Sequence, residues 1–194
     1  MKQNTLFKSL RHDQLLEHSH YIAFHEAGHA AAIYLNNKIR NLAPVSFQII
    51  IKDLQSTSEE SILVYQVAQN DNRTKEDHII AFEVDIINLL IGPLAEAKYI
   101  ADTDDELFSH KLVNLKALKN YGGSSDLDRV DEYLNYFSTC KQQQAKKLDE
   151  LFAVAVNFIN DRTNWAAITK LAHYILNSNK NIINCEDVAY LLEH

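Results

Sequence analysis

Apolar side chains recur every three or four positions along most of this 194-residue chain, which is the spacing of amphipathic helices. The pattern predicts a short lead-in helix over residues 6–16 and a first long helix from about His20 to Leu35. Further helices are expected over Lys75–Ile91, Leu94–Ile100, Leu107–Leu118, from Ser124 or Ser125 onward, and over Lys141–Asn160, Trp165–Leu176 and Cys185–Leu192. At Gly92-Pro93, the proline either kinks one helix or starts a new one.

One stretch of the chain has a period of two instead. Apolar residues at every second position predict a strand over 45–51, and these residues are Val45, Phe47, Ile49 and Ile51. A second β-rich run over 62–67 can fold back on it as an antiparallel hairpin. Either strand could receive an extended peptide as an added strand. The expected fold class is therefore mainly α (α+β), a helical domain with one small antiparallel β-hairpin.

Composition narrows the class of protein. With 46% hydrophobic residues, the chain can bury the core of a single domain over residues 1–194. A net charge of -7 without a basic block argues against nucleic acid as a partner. Four glycines lack the spacing of a Walker A loop or a dinucleotide fingerprint. No stretch has the pattern of a signal peptide or a membrane span. The two cysteines lie far apart in sequence and are interpreted as reduced thiols. Together these observations predict a cytoplasmic location.

The segment His25-Glu26-Ala27-Gly28-His29 carries the candidate chemistry. Two imidazoles four residues apart lie on one face of a helix, where both can reach a single metal ion. Zinc (Zn2+) is the expected cofactor, because it favours nitrogen ligands and at catalytic sites leaves one position to a water molecule. Glu26 lies beside the first ligand and can take a proton from that water as a general base.

The segment 23–30, Ala-Phe-His-Glu-Ala-Gly-His-Ala, resembles the zinc motif of the FtsH-type AAA proteases. Leu90–Glu96 resembles a helix start of that family, and Gly122–Arg129 resembles the segment that carries its aspartate ligand. The stretch Trp165–Leu192 is similar to the family's C-terminal helices. The resemblance covers nearly the whole chain after His20. It implies a largely helical peptidase domain that binds zinc through two histidines and a distant aspartate.

By this resemblance, Asp126 is the third zinc ligand beside His25 and His29. An aspartate in the first turn of a helix is also common for capping and dipole reasons alone. Glu96 and Glu83 compete for the role, because many zinc peptidases take a glutamate from a downstream helix. If Asp126 is the ligand, Glu96 can instead orient one of the histidines.

The chain departs from this family at Pro93, where the family usually has a basic residue, and in two further features. These 194 residues contain no Walker A sequence, so no ATP hydrolysis is expected of them. The segment 102–121 lengthens the gap between Glu96 and Asp126 and is interpreted as an insertion, while 1–19 form a lead-in segment.

The expected function is that of a zinc-dependent metalloendopeptidase, ATP-independent in this chain, acting on peptides or unfolded proteins. One alternative is a catalytically weak, zinc-stabilised binding or regulatory domain derived from a peptidase. Another is a peptidase that a separate ATPase partner supplies with substrate.

Overall fold

A computed structural model describes residues 2–40, 45–51, 63–66, 75–108 and 113–194. Within these ranges the chain forms six α-helices and a three-stranded sheet, so the expected mainly helical α+β class is confirmed. The helices are α1 (Lys2–Ile39), α2 (Lys75–Thr103), α3 (Ser124–Phe137), α4 (Lys141–Asn160), α5 (Arg162–Asn177) and α6 (Cys185–Glu193). A 3-10 turn spans Ala117–Asn120.

One predicted break between helices is wrong, and of the two alternatives at Gly92-Pro93 the start of a new helix is excluded. α1 is continuous from Lys2 to Ile39, because the polar residues that interrupt its apolar pattern include no glycine or proline that would stop a helix. α2 likewise runs through Pro93, so no new helix starts there. Proline removes one backbone donor, and the buried side chains on both sides of it keep the helix packed in the core.

The helix predicted over Leu107–Leu118 is also wrong where the chain is described, since only Ala117–Asn120 is helical and 109–112 lie outside the described residues. Just after α2, Asp105 adopts a φ of 54°, which aspartate tolerates better than most residues and which turns the chain away from the helix. The side chain of Asn114 then accepts hydrogen bonds from two following backbone N–H groups, a turn that competes with an α-helix.

The C-terminal half follows its predicted ranges closely. α5 starts earlier than predicted, at Arg162, because the Asp161 side chain accepts hydrogen bonds from the backbone N–H groups of Thr163 and Asn164. α3 begins at Ser124, one of the two expected starts, and Gly123 is its N-cap. Asp126 remains in the first turn of α3, as expected.

The sheet contains β1 (Ser46–Ile50), β2 (Leu63–Gln66) and β3 (Ile182–Asn184), in the order β2-β1-β3. The predicted antiparallel hairpin of β1 and β2 is confirmed, and the loop residues 52–62 lie outside the described part of the chain. β3 was not predicted; it pairs antiparallel with the other side of β1. Because β1 is central, the expectation that it could accept an added peptide strand is wrong; among the described strands, β2 and β3 form the edges.

The long helices α1 and α2 pack against each other at the centre of the molecule. α5 covers α1, α4 covers α2, and α6 connects the helices to the sheet. Buried apolar side chains from all these elements form one continuous core. Across the described ranges, no helix is both long and apolar enough to cross a membrane.

Candidate metal centre

The candidate centre is built where α1 crosses α2 at close range. A Cβ atom on Gly28 would lie 2.8 Å from the Cβ atom of Ala95 and 3.0 Å from the carbonyl oxygen of Ile91. Real Cβ atoms do not approach other atoms so closely, so only glycine allows this helix packing. The motif therefore includes the small residue that brings its histidines against α2.

His25 and His29 lie on one face of α1 and are 8% and 4% exposed. Their Nε2 atoms are 3.1 Å apart. The i, i+4 spacing thus turns both rings toward one point between α1 and its neighbours, as the sequence predicts.

Asp126 reaches the same point from the first turn of α3. Its Oδ2 atom lies 3.2 Å from Nε2 of His25, and its Oδ1 atom lies 3.4 Å from Nε2 of His29. The side chain is buried, and one possible ligand atom from each of the three residues lies within 4.8 Å of the others. The structure therefore brings together three residues that are widely separated in sequence.

The outward nitrogen of each imidazole has a partner of its own. Nδ1 of His25 lies 3.0 Å from Oε2 of Glu96, and Nδ1 of His29 donates to the carbonyl oxygen of Asn88 at 2.9 Å. With a proton on each Nδ1, both Nε2 lone pairs point inward, which is the tautomer that a metal ligand needs.

These separations fit a tetrahedral zinc site. Ligand atoms about 2.0–2.1 Å from a zinc ion at tetrahedral corners are about 3.3 Å apart. The separations between the two Nε2 atoms and between each of them and Asp126 are 3.1, 3.2 and 3.4 Å. Two imidazole nitrogens and a carboxylate oxygen are also a donor set that zinc accepts. The residues present therefore fit this cofactor.

The electrostatics of the metal-free chain show that the centre attracts a cation. Burial alone would lower the pKa of His25, but hydrogen bonds to Asp126 and Glu96 outweigh burial and raise that pKa from 6.5 to about 10. Burial alone would raise the pKa of Asp126, but the nearby histidines hold it well below its ordinary value. A proton on His25 thus supplies positive charge where a metal ion would otherwise supply it.

The other two glutamates considered from the sequence lie in different positions. Glu83 forms an ion pair with Lys147 at 3.0 Å, on the side of α2 that faces α4. Glu96 contacts the outward nitrogen of His25, not the inward one. Among these carboxylates, Asp126 is the one at the inward nitrogens, and Glu96 is placed to orient His25.

Glu26 lies next to the centre on α1 and is 6% exposed. It lines the same cleft as His25 and His29, and its negative charge contributes to the raised pKa of His25. This position, beside the ligands and facing the cleft, is where a general base for a metal-activated water would stand.

Two glycines leave space for the imidazole rings. A Cβ atom on Gly92 would lie 2.3 Å from Nε2 of His29, inside the ring's own volume. Gly122 has a φ of 66°, and a Cβ atom there would lie 3.2 Å from the His25 ring and 3.1 Å from Glu96. The sequence resemblance points to both glycines, but their role against the rings is visible only in the structure.

The centre opens into a cleft of about 810 Å³. We call its lining residues on α1 and α2 the floor, which includes His25, Glu26, His29, Asn88 and Glu96. We call its lining residues around the start of α3 the rim: Lys119, Asn120, Ser124, Ser125 and Arg129. Sequence reasoning did not find Asn88, because it acts through its backbone carbonyl group. It also missed the two cations of the rim, because Lys119 lies in no motif and the segment Gly122–Arg129 pointed to Asp126 and not to Arg129.

Comparison with known proteins assigns the chain to no family. No family model matches it, and no curated protein matches it at a significant level. The description of the site therefore depends on the sequence motifs and on the arrangement of the described side chains.

Proposed function

We propose that this chain is a zinc-dependent metallopeptidase similar to the peptidase domain of FtsH-type proteases, which needs no ATP for the cleavage step itself. One observation carries the proposal. Two imidazole nitrogens and a carboxylate oxygen converge at separations of 3.1–3.4 Å, with Glu26 beside them at the base of an open cleft. A purely structural zinc site would usually be closed by four protein ligands and would have no use for Glu26.

In this proposal, His25, His29 and Asp126 hold the zinc ion and leave one position to solvent or substrate. When bound, zinc lowers the pKa of a water molecule to about 7 and polarises the carbonyl group of a peptide bond.

The chain's own residues supply the remaining functions. The Glu26 carboxylate accepts the proton of the attacking water and can pass it to the departing amine nitrogen. Glu96 and the Asn88 carbonyl fix the two imidazole rings, so that both Nε2 lone pairs stay directed inward. The cleft gives a peptide access to this arrangement from solvent.

The first test is the zinc content of purified, tag-free protein, measured by mass spectrometry. We expect about one zinc per chain, and a sharp loss in Asp126→Ala because two ligands hold zinc far more weakly than three. Asp128→Ala is the matched control, since Asp128 is an exposed aspartate of the same helix and should leave the zinc content unchanged. Zinc retained at the wild-type level in Asp126→Ala would reject the proposed ligand set.

The second part of the test separates catalysis from metal binding. Glu26→Gln should keep its zinc but lose cleavage of a peptide library by a factor of about 100 or more, because it removes the general base. Cleavage at the wild-type rate would reject Glu26 as the base. If the zinc-loaded wild type cleaves no peptide at all, the domain is a zinc-stabilised binding or regulatory domain and not a peptidase.

A further inference from the structure

The rim of the cleft carries two exposed cations, Lys119 and Arg129. Lys119 lies in the 3-10 turn, three positions before Gly122, whose backbone lies against the His25 ring. Arg129 follows the ligand Asp126 by three positions, which places it one helical turn further along the same face of α3, about 4.5 Å along the axis. Both side chains therefore start within one turn of residues that touch the centre.

Ion pairs neutralise four of the described lysines, but not these two cations of the rim. Lys38, Lys98, Lys147 and Lys180 each form an ion pair with a carboxylate at 3.1 Å or less. Within the described part of the chain, neither Lys119 nor Arg129 has a carboxylate oxygen within 4.0 Å. Their charge is therefore not neutralised by an ion pair with a described side chain.

Of the four carboxylates that line the cleft, Glu26 is buried beside the centre, and the other three face partners of their own. Asp126 and Glu96 face the two nitrogens of His25, and Asp85 lies within hydrogen-bonding reach of Tyr133. The negative charge of the cleft is thus concentrated at its base, whereas its outer part presents positive charge to an entering molecule.

We propose that Lys119 and Arg129 make the cleft selective for substrates that carry a carboxylate close to the scissile bond. The inference depends on the proposed peptidase function, because it names the substrate class of that same site. A guanidinium binds a carboxylate with two parallel hydrogen bonds, and a lysine adds a mobile positive charge opposite it. An extended peptide advances about 3.3 Å per residue, so the recognised carboxylate belongs within one or two residues of the bond at the centre.

This assignment also gives a role to part of the segment between α2 and α3. Val113 and Leu118 anchor that segment in the core, being 6% and 0% exposed. Lys119 follows the second anchor directly and is held at the cleft by it. In this proposal, the segment 102–121, which is interpreted from the sequence as an insertion, contributes Lys119 to the binding of the substrate carboxylate.

The test measures binding separately from cleavage. Zinc-loaded Glu26→Gln protein is titrated with acetylated, alanine-based octapeptides that differ only by glutamate or glutamine at each position in turn. A second pair carries a C-terminal carboxylate or amide, which separates a side-chain carboxylate from a chain end. At the peptide position where glutamate and glutamine differ most, the glutamate peptide should bind about tenfold more tightly than the glutamine peptide. This difference is the equivalent of one charge-assisted hydrogen bond.

The variants identify the groups responsible. In the same background, Lys119→Gln and Arg129→Gln should each reduce the acidic preference several-fold, and the double variant should remove it. Arg129→Glu should favour lysine-containing peptides. Lys116→Gln is the matched control, because Lys116 is exposed, belongs to the same segment and does not line the cleft. Zinc content is measured for every variant to show that the centre is intact.

The outcomes test the carboxylate inference and the proposed peptidase function separately. Equal affinity for acidic and amide peptides, or a preference that survives in the double variant, overturns the carboxylate inference even if the protein cleaves peptides. If the preference depends on Lys119 and Arg129 but the zinc-loaded wild type cleaves no peptide, the two cations are supported as the carboxylate-binding groups, whereas the peptidase function, and with it the assignment of these peptides as substrates, is rejected. A failure to bind any peptide of the set overturns the inference whatever the zinc content.

Discussion

On the floor of the cleft, the polar groups of both histidines are paired. The outward ring nitrogens contact Glu96 and the Asn88 carbonyl, the inward ones converge with Asp126, and the rings are almost fully buried. On the rim, the charged side chains are exposed, and Lys119 and Arg129 form no ion pair with the described residues. The floor is thus tightly packed around its polar atoms, and the rim presents charged groups to solvent.

This difference separates two tasks that a hydrolytic site must combine. A metal centre needs ligands held in fixed geometry, which requires buried partners and close backbone packing. Substrate selection needs groups that can exchange water for a ligand, which requires exposure. Substitutions that disturb the histidines of the floor should therefore affect zinc and stability together, whereas those on the rim should affect selectivity alone.

The largest expected effect is that of Gly92→Ala on the floor. The new methyl group would overlap the His29 ring, which cannot turn aside without losing its bond to the Asn88 carbonyl. We expect loss of zinc and a free energy of unfolding lower by about 1–3 kcal/mol, although alanine is the better helix former. Mass spectrometry of bound metal and urea denaturation measure the two effects.

A second variant tests the steric cause of this loss. His29→Ala in the Gly92→Ala background removes the overlapping ring, so it should recover stability toward the wild-type value while zinc stays absent. Zinc bound at the wild-type level in Gly92→Ala would show that the ring is less constrained than the structure indicates.

The sequence predicts the floor better than the rim, for a physical reason. The two histidines of the floor lie four positions apart on α1, and helical geometry alone places their rings on one side of that helix. The packing of α1 against α2 also has a local signal, because the small residues of the motif permit it. The rim depends on turns around Asp105 and Asn114, where single side chains compete with the helix that the apolar spacing suggests.

Long-range features had the weakest signal in the sequence. β3 is three residues long and exists because it pairs with the far side of β1, a partner more than 100 positions away. Asp126 was indicated by family resemblance, since an aspartate in a first turn has ordinary capping reasons. Its contact with His25 and His29 depends on how α3 packs beside α1 and α2, which local patterns do not determine.

The affinity of the floor for zinc should depend on pH. The pKa of His25 is about 10 in the metal-free chain, so zinc must displace a proton from it at neutral pH. We expect the release of about one proton per zinc at pH 7, and an affinity that rises about tenfold per pH unit toward that pKa. Calorimetry in two buffers of different ionisation enthalpy measures the proton release, and none between pH 7 and 9 would contradict a raised pKa.

The stability of the metal-free chain should change with pH in the opposite sense. The folded-state pKa of His25 is raised above 6.5, so its stabilising contribution is complete below pH 6.5 and is lost as the pH rises through about 10. The pKa of Asp126 is lowered, so its contribution is present above about pH 3.8 and is lost on further acidification. Glu96→Gln is a control, because it removes one cause of the raised pKa and should move the alkaline loss to lower pH.

The smallest expected effect concerns Lys98 of α2, whose contacts include Phe108 in the segment between α2 and α3. The Lys98 ammonium group lies 4.8 Å from the centre of the Trp165 ring and 5.5 Å from that of Phe108, and 3.1 Å from Asp102. Lys98→Met keeps the length of the side chain but removes the charge, so the free energy of unfolding should fall by about 1 kcal/mol in urea denaturation. Lys119→Met, which removes an exposed charge without such contacts, should change it by less than about 0.5 kcal/mol. Equal effects of the two variants would mean that the contacts of Lys98 with Phe108, Trp165 and Asp102 add nothing measurable to the stability of the fold.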